Sequence, residues 1–223
     1  VFGTSTTAVP ANAVFWYIFG DAARERAVSD SGLGGYMHGF AWRAPLQQSD
    51  VAGPYKLPIT VLEYMVIAIN LMVFSPLIPV SPLNWPLIGS DSLGSFLAIL
   101  DLRSKSPLMQ FVTNYIAAMP EVGRFRRRLA VAHVYGSGNA FADAESRGDD
   151  ERVSRLVRQL GVTYERVALP KRARRFMDSV RARARQLVRE AADPASARRK
   201  GHQSRGNERA RKRQRGSKRD KST

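Results

Sequence analysis

The stretch HVYGSGNAFADAESRG, residues 133–148, sets His133 ten positions ahead of Asp143 across a glycine-rich bend. An imidazole and a carboxylate are side-chain types that general acid–base chemistry uses. Three more acids stand where folds of alternating strands and helices collect functional groups. Asp21 follows the run VFWYIFG, Glu63 sits in the first turn of an apolar helix, and Asp91 follows WPLIGS. Each also has a plain structural reading. Thr60 and Glu63 match the S/T-x-x-E capping box. Asp91 and Asp143 can cap helices, Asp21 can be a turn residue, and His133 can be an ordinary core or loop histidine. Gly136 and Asn139 are expected to shape the bend, one through unusual backbone angles and the other through a local hydrogen bond. It is the combination of acids, not any single one, that points to a site.

The elements that must position these residues alternate in type. VFWYIFGD (14–21) is an aromatic and β-branched run, expected as a buried strand ending at Asp21, and GGYMHGFAW (34–42) alternates as a second strand. Residues 60–74 form an apolar helix and WPLIGSDS (85–92) a short strand. LGSFLAIL and PLMQFVTNYIAAM read as helices, the second opened by Ser106 as cap and Pro107 in the first turn. RRLAVAHVY (127–135) is the next strand. ERVSRLVRQLG follows as a helix with Val153, Leu156, Val157 and Leu160 on one face and Gly161 as its stop. Such alternation predicts an α/β fold, a mixed sheet covered by helices.

GDAA (20–23), GLGGY (32–36), ITVLEYMVIAI (59–69), GSDSLGSFLAI (89–99) and HVYGSGNAFADAESR (133–147), in that order, resemble the ribonuclease H domain of retroelement reverse transcriptases. The flavour is that of DIRS-like retrotransposons, and the resemblance covers about residues 14–160. It implies a ribonuclease H-like mixed sheet flanked by helices, with Asp21, Glu63, Asp91 and Asp143 as catalytic, metal-binding acids. It also implies that His133 is the mobile histidine that transfers a proton as product leaves. Four converging carboxylates repel one another unless cations neutralise them, and oxygen donors without sulfur favour Mg2+, or Mn2+. Two such ions about 3.5–4 Å apart activate a water and stabilise the departing oxygen of a phosphodiester. The implied substrate is the RNA strand of an RNA·DNA hybrid, and the implied partner a reverse transcriptase polymerase domain, upstream or separate. The alternative is a catalytically inactive module that keeps the fold and binds nucleic acid. Glu145 departs from the pattern, standing where a hydrophobic residue is common, and is expected to weaken the packing of its helix. In LRSKSP, residues Arg103 to Ser106 either hold a backbone phosphate or form a solvated loop with a helix cap.

Composition bounds the rest. A chain of 223 residues with 44% apolar content is long enough for one core plus an extension. The absence of cysteine excludes disulfides, thiolate zinc sites and cysteine nucleophiles. The start, VFGTSTTAVP, has neither an initiator Met nor a secretory n-region, and suggests a piece of a longer protein. LPITVLEYMVIAINLMVF (57–74) approaches transmembrane length, but it holds Glu63 and Asn70, with Pro58 and Pro76 at its ends; a buried helix is the expected reading, without a membrane. The positive charge is uneven. Residues 194–223 carry 12 Lys and Arg against Glu208 and Asp220, a net +10 of the formal +16. With no aliphatic residue larger than Ala, that tail is expected to be disordered and suited to polyanions, to nuclear import or to solubility alone. The expected organisation is a lead-in (1–13), the ribonuclease H-like domain (14–161), a strand plus basic amphipathic helix (162–193) and the basic tail (194–223). The helix, KRARRFMDSVRARARQLVREAA, is expected to dock Phe176, Val180, Leu187 and Val188 on the core with its arginines solvated.

Overall fold

The run of aromatic and β-branched residues from Val14 forms strand β1 (Val14–Ala23) in the computed structural model, which describes residues 9–25, 27–90, 104, 106–125, 128–134 and 136–193. Such side chains fit a pleated surface, and the strand continues past Asp21, which therefore lies inside it and not in a following turn. The single strand expected over 34–42 is a hairpin of β2 (Gly32–Met37) and β3 (Phe40–Pro45). His38 and Gly39, at φ 47° and 89°, make the two-residue loop, whose left-handed backbone matches the twist of the flanking strands.

A short helix α1 (Gln48–Val51) leads to α2 (Ile59–Phe74), which is buried at 13 of its 16 positions. This is the apolar segment of near-transmembrane length, and 78% of it is enclosed by the protein, as in the core helix of an α/β fold. Strand β4 (Asn84–Ser90) follows, then α3 (Pro107–Ala117), where Ser106 accepts the Met109 N–H as cap and Pro107 fills the first turn. After α4 (Pro120–Arg124) come β5 (Ala130–His133), a 3-10 turn (Gly136–Asn139), α5 (Ala140–Arg147) and α6 (Asp150–Leu160). The last elements are β6 (Glu165–Arg166) and α7 (Lys171–Ala192). The expected helix LGSFLAIL lies outside the described residues.

The six strands form one mixed sheet in the order β5-β4-β1-β2-β3-β6. β1, β2 and β3 are antiparallel neighbours, while β1–β4, β4–β5 and β3–β6 are parallel pairs. Adjacent residues on a strand point to opposite faces. One face carries Ile18, Leu33, Met37, Trp42 and Ile88, all fully buried, and α2 covers it. Trp42 Nε1 donates to Asn70 Oδ1 on α2, and Asn70 Nδ2 donates to the Phe19 carbonyl, so this polar residue in an apolar helix is satisfied by the sheet. α5 covers the other face, where Tyr36 stacks on Phe141 with ring centroids 4.3 Å apart.

The chain divides into two compact units, Val1–Ala184 and Arg185–Thr223. In the first, Ala173, Phe176, Met177, Val180 and Ala184 of α7 are buried. In the second, the described residues complete α7, with Leu187 and Val188 half-buried. Two arginines depart from the solvated arrangement expected: Arg181 is nearly buried, paired with Asp50 of α1, and the half-buried Arg172 is paired with Glu121 of α4. The stripe expected on α6 is also only partly covered. Val153 is buried, Leu156 and Val157 are half-buried, and Leu160 is 61% exposed.

Candidate functional site

Parallel pairing brings the C-terminal ends of β1, β4 and β5 to one edge, the edge where α/β sheets gather ligands. The last β1–β4 pair is Phe19 with Gly89, and the last β4–β5 pair is Ser90 with His133. Asp21 stands two residues beyond the first of these and is 8% exposed. His133 is exposed at the end of its strand. Asp91, the residue after Ser90, lies outside the described residues.

Glycines let the helices close on this corner. A Cβ at Gly20 would sit inside van der Waals contact with Val66 and Asn70 of α2. One at Gly34 would be 2.5 Å from both the Ala142 carbonyl and the Ser146 nitrogen. The second clash is with backbone, which cannot rotate away, so GLGGY is the condition for laying α5 directly on β2. Gly34 pairs with Asp21 across the sheet, so α5 lands beside the acid. Ser146 Oγ donates a short hydrogen bond to Asp21 Oδ2 and lies 2.9 Å from the Asp143 carbonyl; one hydroxyl thus touches both residues.

Asp143 does not cap α5. It occupies the fourth helical position, with Asn139 as N-cap, and both its carboxylate oxygens accept from guanidiniums. Arg147 Nε donates to Oδ1 at 2.7 Å and Arg152 Nη1 to Oδ2, while Arg147 also reaches Glu25. The two carboxylates hold the Arg147 guanidinium firmly in its charged form. Glu63 is not the partner of a capping box either. α2 begins at Ile59 with Pro58 as N-cap, which puts Glu63 at its fifth position, half-buried and past the first turn. Asp21 and Asp143 are therefore brought to one corner of the sheet. Among the described residues, no three His, Asp or Glu side chains gather closely enough to hold a metal ion.

The donors present suit a hard divalent cation. They are carboxylate oxygens in a chain without cysteine thiolates, and the buried Asn139 Oδ1 has no hydrogen-bond partner in the protein. A cation taken up by Asp143 would share its carboxylate with two guanidiniums or displace one of them.

Two residues of the HVYGSGNAFADAESRG stretch act over longer range than their sequence neighbours suggest. Asn139 Nδ2 donates to the Gly20 carbonyl at 3.0 Å, 119 residues away, and ties the bend to the acid-bearing strand instead of bonding locally. Glu145 is fully buried, and it anchors the helix where weakened packing was expected. Its Oε1 accepts from the Tyr164 hydroxyl and from Arg166 Nη2 at 2.9 Å, pinning β6 to α5. Burial and the adjacent Glu145 raise the Tyr164 hydroxyl well above its ordinary pKa, so it stays a donor at any working pH. Asp150 shares Arg166, whose hydrogen bond holds its carboxyl below the usual range. The Glu145→Ala variant is expected to lose about 2–3 kcal/mol in urea unfolding, less than a fully buried pair because Arg166 is 41% exposed. A loss under about 0.5 kcal/mol would mean that β6 is held by other contacts.

Comparisons with protein-family models, with curated proteins and with solved structures return no match to this chain.

Proposed function

We propose that the chain is a ribonuclease H-like, metal-dependent endonuclease that cuts the RNA strand of RNA·DNA hybrids, as the ribonuclease H part of a retrotransposon reverse transcriptase. The observation that carries this reading is the sheet. Its antiparallel β1-β2-β3 meander joins parallel β4 and β5, with Asp21 near the end of the central strand and the Asp143 helix laid over it. Asp21, Glu63, Asp91 and Asp143 would hold two Mg2+ or Mn2+ ions, which when bound activate a water and stabilise the leaving oxygen. Ser146 fixes the Asp21 carboxylate by its hydrogen bond, and Asn139 fixes the bend that carries α5. His133, exposed at the strand end, would pass a proton between the site and solvent.

One observation favours a second reading, a catalytically silent nucleic-acid-binding module. Arg147 and Arg152 together satisfy both oxygens of Asp143, so that carboxylate is neutralised without a metal. Labelled RNA·DNA hybrid separates the two. The nuclease reading expects cutting that requires Mg2+ and disappears in Asp91→Asn. Hybrid binding by the wild-type chain with no Mg2+-dependent cutting would select the silent module instead.

A further inference from the structure

A groove of about 640 Å3 opens between β3, the segment after β6 and the first half of α7. Four arginines line it, Arg43, Arg166, Arg174 and Arg181, over an apolar floor that includes Leu169 and Met177. Two of the four are committed within the protein. Arg166 pairs with Glu145 and Asp150, and Arg181 with Asp50 and Asp178. The other two are not. Among the described residues, Arg43 and Arg174 make no side-chain hydrogen bond and no close ion pair; Arg43 feels Asp150 only through space.

The sheet register relates this groove to the acid corner. Asp21 pairs with Gly34, and Gly34 with Arg43, so the three form a row across β1, β2 and β3 with side chains on one face. Two inter-strand spacings make that row about 10 Å long, on the order of three nucleotides at 3.4 Å of axial rise per strand. The Arg43 guanidinium lies against Gly148, at the C-terminal end of the helix that carries Asp143.

We propose that this groove binds the sugar–phosphate backbone of a nucleic-acid strand, with Arg43 and Arg174 on phosphate oxygens and the apolar floor against a sugar. The inference rests on the nucleic-acid reading above and adds a place on the chain's own C-terminal extension. Guanidiniums fit phosphates bidentately, and the volume is that of a pocket for a nucleotide-sized group, larger than a bare anion needs. Lys171, exposed at the start of α7, adds a further positive charge at that end of the helix.

Fluorescence anisotropy of a labelled RNA·DNA hybrid, titrated with the full chain at several salt concentrations, tests the site. Arg174 is exposed and unpartnered, so Arg174→Glu leaves the fold intact, and a thermal melt checks this. Arg175→Glu carries the same charge change on the same helix outside the groove. Arg174→Glu is expected to weaken binding about tenfold and to lower the slope of log affinity against log salt by about 1. Arg43→Gln should act in the same direction, and Arg175→Glu should do much less. Equal losses in Arg174→Glu and Arg175→Glu, or no loss in Arg174→Glu, overturn the site while the nucleic-acid reading stands. Competition by polyglutamate as strong as by unlabelled hybrid, lost equally in Arg174→Glu, overturns it in favour of an acidic peptide. A wild-type chain that binds no hybrid at low salt brings down the functional reading and the site together.

Discussion

Replacing Arg181 with alanine is expected to lower the melting temperature by on the order of 10 °C. Arg181 Nε donates to both oxygens of Asp50, at 3.0 and 3.1 Å, and Nη2 donates to Oδ2 at 2.7 Å. The two side chains are only 10% and 2% exposed. Asp50 cannot move away, because its Oδ2 also accepts the Gln47 N–H at the start of α1. Truncating Arg181 leaves a buried, uncompensated carboxylate, which costs about 3–5 kcal/mol. In a unit of this size each kcal/mol moves the melting point by roughly 2–4 °C. The pair is a poor net stabiliser compared with apolar packing, so the double variant Asp50→Ala/Arg181→Ala should recover part of the loss. Circular dichroism melts of the three proteins measure this. An Arg181→Ala protein melting within 2 °C of wild type would show that solvent reaches Asp50 and that the pair is not closed.

That ion pair marks the limit of what the sequence alone discloses. Asp50 and Arg181 are 131 residues apart, and nothing in either neighbourhood marks them as partners. Glu145 is similar: a charge in an otherwise helical pattern looks like a packing fault until Tyr164 and Arg166, just before and in β6, arrive about twenty residues later. Features governed by local chemistry were readable. Ser106 and Pro107 open α3, Gly161 ends α6 in the left-handed conformation, and the apolar run of α2 is a core helix. Local chemistry also misled where two signals overlapped. The alternation in YMHGFAW runs straight through the turn, because His-Gly is a less obvious left-handed pair than Asn-Gly, and so two strands read as one. Thr60 and Glu63 had the spacing of a capping box, but Pro58 and Ile59 start the helix two residues too early for it.

The acid corner is intermediate in this respect. The order of Asp21, Glu63 and Asp143 along the chain could be read directly, but which side chains face each other depends on sheet register and on the glycines that let α5 approach. The arginines on Asp143 follow from geometry as well. Arg147 is one helical turn further on, whereas Arg152 comes from the next helix, beyond the bend at Gly148.

On the proposed nuclease reading, Asp21→Asn is expected to cut RNA·DNA hybrid on the order of a thousandfold more slowly with Mg2+, a loss of ~4 kcal/mol of transition-state stabilisation. The substitution is close to isosteric, and the Ser146 hydroxyl can donate to an amide oxygen as it does to Asp21 Oδ2, so that hydroxyl keeps its acceptor. Folding stability should therefore change by no more than about 1 kcal/mol. Hybrid affinity should hold or rise slightly, because removing an anion lessens repulsion of phosphates. What the variant loses is the negative charge needed to hold a divalent cation, so calorimetric uptake of Mg2+ should weaken in parallel with the rate. Single-turnover cleavage, anisotropy and calorimetry on the same preparation distinguish this from general damage. If Asp21→Asn cuts within tenfold of wild type, the β1 carboxylate is no metal ligand, and its hydrogen bond to Ser146 is a packing contact between sheet and helix.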